Sequence, residues 1–172
     1  MPAFATPTPI SATVDLMLGD VRFVAGPRAD TVVEIHPVDP SRTLDVEAAA
    51  HTTVEYADGR LSVRQPRLRT MFARRYGSVR VLVDLPAGSD VSAKTAEGEC
   101  VVQGTVGSCR LSTAIGDIRV AQAADVLLRT AGGRVIVDHV TGPADIRGNG
   151  EIRVRRIDGD AVIRNIGAGG IR

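Results

Sequence analysis

A stretch of basic and aromatic side chains at residues 66–76 is the part of this sequence best suited to bind another molecule. Arginines donate hydrogen bonds to phosphates and carboxylates, and aromatic rings stack on bases or pack against a partner. The residues that carry this chemistry are Arg67, Arg69, Phe72, Arg74, Arg75 and Tyr76. An exposed loop joining two strands explains the same composition. The net charge of +1 supplies no wider basic field, so the predicted partner is a protein rather than a nucleic acid.

The cysteines and histidines form no recognisable reactive or metal-binding pattern. Cys100 and Cys109 stand at inward positions of predicted strands, where small core residues are expected rather than a disulfide, metal ligands or nucleophiles. His139 follows Asp138, a pair that could belong to a dyad, but no nucleophile is placed for it. The other two histidines lack partners at zinc-binding spacing. The sequence therefore predicts no catalytic residues, no cofactor and no metal.

A repeat of about seventeen residues must position these side chains. Its marker is a glycine that recurs at spacings of 18, 17 and 17, at Gly98, Gly116, Gly133 and Gly150. Each copy holds two short segments with apolar residues at i and i+2. The pairs of the first segment are Cys100/Val102, Ile118/Val120, Val135/Val137 and Ile152/Val154. This alternation is the period of a strand with one buried face, and helical spacing does not fit it.

One copy of this length cannot close a core alone, whereas stacked copies bury one another's open faces. The sequence therefore predicts an all-β fold, a single-domain parallel β-solenoid with short coils of about 17 residues and two strands each. Stacking also places Arg134 between Asp117 and Glu151, at the position that follows each bend glycine. We expect ion pairs along this row.

The first 90 residues are β-rich but less regular, and they predict an N-terminal cap on the solenoid. Asp58-Gly59 between two alternating segments is a strong hairpin signal. The predicted organisation is one domain over residues 1–172, with an irregular part at 1–90 and regular repeats at 91–172. The last copy is incomplete at Arg172, which predicts a shortened chain.

Several segments together resemble the bacterial putative-adhesin family of β-strand-repeat proteins. The segments are TPISATVD at 8–15, DTVVE at 30–34, VEYADGRL at 54–61, DLPAGS at 84–89 and TAIGDI at 113–118. The resemblance covers nearly the whole chain, and its motifs are structural. It implies a β-repeat fold and, through the family's name, adhesion. It brings no catalytic residues, and the biochemical function of the family is unknown.

Three classes of function follow. The first is a non-catalytic structural or interaction protein that binds an unknown protein or self-associates through its open coil end. The alternative is cell-surface adhesion or glycan binding. A polysaccharide-active enzyme is disfavoured, because short coils without insertions leave no loops to build a pocket. No leader and no membrane-length apolar run is present, so the predicted location is cytoplasmic, with the cell surface as the alternative.

Overall fold

The computed structural model describes residues 2–66, 76–167 and 170–172, and within these ranges it contains fourteen strands and one helix. The strands are Ala3–Ala5 (β1), Ser11–Asp15 (β2), Gly19–Gly26 (β3), Asp30–Pro37 (β4), Thr53–Ala57 (β5), Arg60–Arg64 (β6), Val79–Pro86 (β7), Asp90–Glu97 (β8), Cys100–Ile115 (β9), Ile118–Gly132 (β10), Val135–Val140 (β11), Ala144–Gly148 (β12), Ile152–Ile157 (β13) and Ala161–Asn165 (β14). Helix α1 is Thr43–His51. In the part of the chain that the structure describes, no helix has the length and apolar character to span a bilayer.

The all-β prediction is confirmed, but the predicted parallel β-solenoid is wrong. The described strands form one mixed, nearly closed sheet. Strand β4 lies antiparallel between β1 and β7, and β5 and β6 form an antiparallel hairpin. The hairpin turns at Asp58 and Gly59, whose φ angles are 51° and 73°. This is the turn that the dipeptide predicts, and it reverses the chain where a parallel coil would have continued.

The irregular N-terminal half is part of the same sheet. Strand β6 pairs in parallel with β2, and β2 pairs in parallel with β8. Strand β7 pairs in parallel with β3, which pairs in turn with β9. The described strands of this half, β1 to β7, therefore continue the hydrogen-bonded ladder, and the predicted cap is part of the same sheet.

Two long strands carry the chain between the two faces of the sheet. The start of β9 pairs with β3 and its end pairs with β8. The start of β10 pairs with β11 and its end with β12, with an irregularity between Val120 and Gln122. The two predicted short segments are therefore joined into single bent strands in these repeats. We call the face that contains β3, β7, β11 and β13 the first face, and that containing β2, β8, β12 and β14 the second face.

Inward side chains of both faces form one apolar core. The alternation that the sequence displays is the alternation of burial, as in Cys100, Val102, Cys109 and Leu111 along β9. Phe23 is the one aromatic ring among the buried apolar side chains of the described residues, so the core is built chiefly from valine, leucine, isoleucine and alanine. Small side chains suit this thin space between two close faces.

Glycines and threonines fix the register at the bends. Thr113 Oγ1 donates a hydrogen bond to the Gly98 carbonyl at 3.2 Å, and Thr130 Oγ1 donates one to the Gly116 carbonyl at 3.1 Å. At the position that follows each bend glycine, the predicted ion pair forms between the Arg134 guanidinium and the Asp117 carboxylate, whose closest nitrogen and oxygen are 3.4 Å apart. Glu151 is nearest to Arg153 instead, at 2.7 Å. Equivalent residues of successive repeats are therefore held level with one another.

Candidate functional site

The arginine-rich segment lies mostly outside the described residues. Arg67, Arg69, Phe72, Arg74 and Arg75 belong to residues 67–75, so their proposed role in partner contact stays a prediction. Tyr76 is described and half-buried. It lines an open cavity of about 420 Å³. The same cavity is lined by Leu44, Ala48 and His51 of α1 and by Gln65, which directly follows β6.

Two buried polar side chains anchor the ends of this segment. Gln65 Oε1 accepts hydrogen bonds from the Met17 N–H at 2.8 Å and the Leu18 N–H at 3.2 Å. Its Nε2 donates to the Gly77 carbonyl at 2.8 Å. On the other side, Asp45 of α1 accepts a hydrogen bond from the Ser78 N–H at 2.9 Å. The chain therefore leaves and re-enters the sheet at two fixed points.

Removing the Gln65 side chain tests this anchor. Gln65→Ala leaves three backbone groups without their partner, and unsatisfied buried groups cost about 1–3 kcal/mol each. We expect the free energy of unfolding to fall by about 3 kcal/mol, since water will reach part of the vacated space. Urea unfolding followed by circular dichroism measures it. Gln103→Ala, at an exposed position of β9, is the matched control. Equal stability of the two variants would contradict the anchoring role.

The remaining reactive side chains do not converge. Cys100 and Cys109 are buried in the core, and burial raises the pKa of the Cys100 thiol to about 12. The pKa of Cys109 is also raised by burial. His139 Nε2 pairs with Asp158 at 2.8 Å, not with the neighbouring Asp138, and His139 and then Arg156 lower the pKa of Asp158. Within residues 2–66, 76–167 and 170–172, no three such side chains are placed to hold a metal.

The edge strands β13 and β14 expose the end of the core. Leu128 and Ile146 are fully buried at successive levels of the second face, whereas Ile163, at the next level, is half-buried. On the first face, Val137 is buried and its neighbour Val154 is half-buried. We call β13 and β14 the open end. Among the described strands, β14 pairs only with β12. The outer side of β13 is partly covered by residues 170–172, where the Arg172 N–H donates to the Ile152 carbonyl and the Val154 N–H donates to the Arg172 carbonyl, both at 2.8 Å.

A row of cations across the second face was missed in the sequence prediction. Successive strands place Lys94, Ser112, Arg129, Arg147 and Arg164 level with one another. The signal was in the repeat itself, because these residues begin the triplets Lys-Thr-Ala, Ser-Thr-Ala, Arg-Thr-Ala, Arg-Gly-Asn and Arg-Asn-Ile. We call these five positions the cationic row; four of them are cations, and Ser112 lies between Lys94 and Arg129.

Comparison with known proteins gives structural similarity at low identity. No protein-family model matches the chain, and no curated protein matches it. A putative cell adhesion protein from Clostridium sporogenes is 10% identical, with a TM-score of 0.44 over 99% of this chain and 97% of that one. A putative adhesin from Bacteroides fragilis is 13% identical, with a TM-score of 0.45 over 96% and 95%. A putative lipid binding protein from Parabacteroides distasonis is 11% identical, with a TM-score of 0.36 over 99% and 94%.

Proposed function

We propose that this protein is a non-catalytic structural and interaction protein that self-associates head to tail through its open end. The observation that carries the proposal is the incomplete burial of the last core layer. Ile163 and Val154 hold the positions at which Ile146 and Val137 are buried by the next strands. A further strand laid on β14 extends the second face and buries Ile163, while beside β13, where residues 170–172 already pair with Ile152 and Val154, a second copy packs over the half-buried Val154.

The charges of the two ends favour a head-to-tail contact between copies. Residues 149–172, which include the open end, contain five arginines and three acidic residues. Residues 30–58, which form β4, α1 and β5 at the opposite end, contain seven acidic residues and one arginine. Two open ends repel each other, whereas an open end and the acidic end attract. A contact between two different surfaces generates a ring or an open filament rather than a closed dimer.

Light scattering on the eluting protein, across a tenfold concentration range and at low and high salt, tests this proposal. We expect the average molar mass to rise with protein concentration. We expect it to fall as salt is added, because salt screens the attraction between exposed charges. Arg155→Glu at the open end should reduce the mass, and Arg22→Glu, the same change on the middle of the first face, should not. A monomer under every condition, or equal effects of the two variants, contradicts head-to-tail association.

Cell-surface adhesion with glycan binding is the second candidate. The cationic row favours it, because Arg129, Arg147 and Arg164 place like charges on adjacent strands, which costs stability that a bound anion would offset. The cationic row reaches the open end only at Arg164, so substitutions at Lys94 and Arg129 on the second face separate glycan binding from self-association. Adhesion also requires export, and recovery of the native protein from the cell surface or the medium tests that requirement.

A further inference from the structure

Outward side chains of the second face repeat with the spacing of the strands. Adjacent strands lie about 4.8 Å apart, so the cationic row from Lys94 to Arg164 crosses five strands over roughly 19 Å. The row continues on the other side of Lys94 through Asp15 and Arg64. Alternation along each strand turns the next residue inward, as with the buried Thr95, Thr113 and Thr130. The charges therefore all project from one surface.

Most of this charge has no carboxylate partner in the structure. Arg147 pairs with Asp145 at 3.3 Å. Within the ranges that the structure describes, Lys94, Arg129 and Arg164 have no carboxylate within salt-bridge distance. The bends behave differently, since there Arg134 is matched to Asp117 and Arg119 to Glu99. The repeat places opposite charges side by side at these bends, whereas on the second face it places three like charges, Arg129, Arg147 and Arg164, on adjacent strands.

A groove runs beside the cationic row. It has a volume of about 680 Å³ and is open to solvent. Its floor contains Ala96, Ala114 and Ala131, which occupy the outward position two residues after the cationic row on three successive strands. Small side chains leave a shallow, apolar path beside Lys94 and Arg129. The groove thus offers an apolar floor and a wall of cations, with the carboxylate of Asp15 beside Lys94 at one end.

We propose that this groove binds a linear acidic polysaccharide. The apolar C–H faces of sugar rings fit a floor of alanine methyl groups, and carboxylates along one edge of the chain meet the cationic row. Among the described residues that line the groove there is no aromatic ring, so it has no platform for stacking bases. The protein's net charge of +1 also gives no general attraction for nucleic acid. The proposal names a ligand class for the second candidate function and is independent of head-to-tail association.

A binding measurement with defined oligosaccharides tests the proposal. The probe is a fluorescently labelled oligogalacturonate long enough to span the five strands, with one carboxylate on each sugar, followed by anisotropy at low salt. We expect saturable binding that weakens as salt rises. The methyl-esterified chain of the same length has the same sugar rings without the charges, and it should not bind. Absence of oligogalacturonate binding, or equal binding of the ester, overturns the proposal.

Matched double variants locate the site. Lys94→Gln with Arg129→Gln should raise the dissociation constant about tenfold, since each removes one exposed charge contact. Arg22→Gln with Arg80→Gln removes the same charge from the first face and should leave the dissociation constant within about twofold. All four positions are exposed, so both proteins should melt like the parent. Equal weakening by the two double variants, or tighter binding of a single-stranded oligonucleotide of equal charge, overturns the proposal.

Discussion

Replacing Gly116 with alanine is expected to lower the free energy of unfolding by about 3 kcal/mol, the sum of backbone strain and overpacking. Gly116 has a φ of 150°, a conformation that residues with a Cβ rarely adopt. A methyl group added there would overlap the backbone carbonyl oxygen of Gly98 in the level below. Because that oxygen is part of the backbone and accepts a hydrogen bond from Thr113, it cannot move aside without disturbing the bend.

Gly132→Ala is the matched control, on the same chain segment. Gly132 has no positive φ, and its added methyl group would meet only the Ala114 carbonyl oxygen, at 3.8 Å. Gly132→Ala should change the free energy of unfolding by less than about 1 kcal/mol. A small gain is also consistent with the argument, because alanine restricts the unfolded chain more than glycine does. Urea unfolding of both variants makes the comparison. Equal losses would mean that the bend glycines are not under the steric constraint that the repeat spacing suggests.

The sequence predicted those parts of the fold that depend on local alternation and on the bends. The i and i+2 pairs of β9 to β12 became buried residues, and the hairpin at Asp58-Gly59 formed where the dipeptide predicted it. These features are set within a few residues of chain, by the two-residue period of a strand and by glycine's freedom at positive φ.

The sheet's overall organisation could not be predicted in the same way. Strand β4 has the same kind of alternating sequence as β3, yet it pairs antiparallel with β7 while β3 pairs parallel with it. The alternation of apolar and polar residues predicts which side chains point inward, but it does not predict whether a neighbouring strand is parallel or antiparallel. Between β4 and β7 the chain makes an excursion that includes α1, whose Asp45 accepts a hydrogen bond from the Ser78 N–H just before β7. That contact spans 33 residues, beyond the reach of a local pattern.

The cationic row illustrates the same limit for the candidate site. One basic residue per repeat is visible in the sequence at Lys94, Arg129 and Arg147. It becomes a continuous charged surface only when the repeats lie level, and the stacked glycines and threonines at the bends set that level. The sequence prediction compared the residues after the bend glycines, where Arg134 lies between two acidic residues, and therefore missed the row in which three arginines follow one another.

The thiols of the folded protein are expected to react with a disulfide reagent about a thousandfold more slowly than those of the unfolded protein. Only the thiolate reacts, and raising the pKa of Cys100 from 9.0 to about 12 lowers the thiolate fraction near pH 8 by about that factor. The pKa of Cys109 is raised as well, first by burial and then by the nearby Cys100. The measurement is the rate of reaction with the disulfide reagent in the presence and absence of urea. Single Cys100→Ala and Cys109→Ala variants assign each rate to one of the two thiols.

The same shift predicts how stability depends on pH. A thiol whose pKa is higher in the folded state favours folding fully below pH 9.0, the ordinary value, and this contribution is lost as pH rises towards about 12. Stability should therefore decline over that alkaline range, and Cys100→Ala should reduce the decline. Reaction of either cysteine at the rate of a free thiol would instead place a reactive group at the surface and reopen nucleophilic chemistry. Slow reaction at both positions means that the thiols pack as core residues.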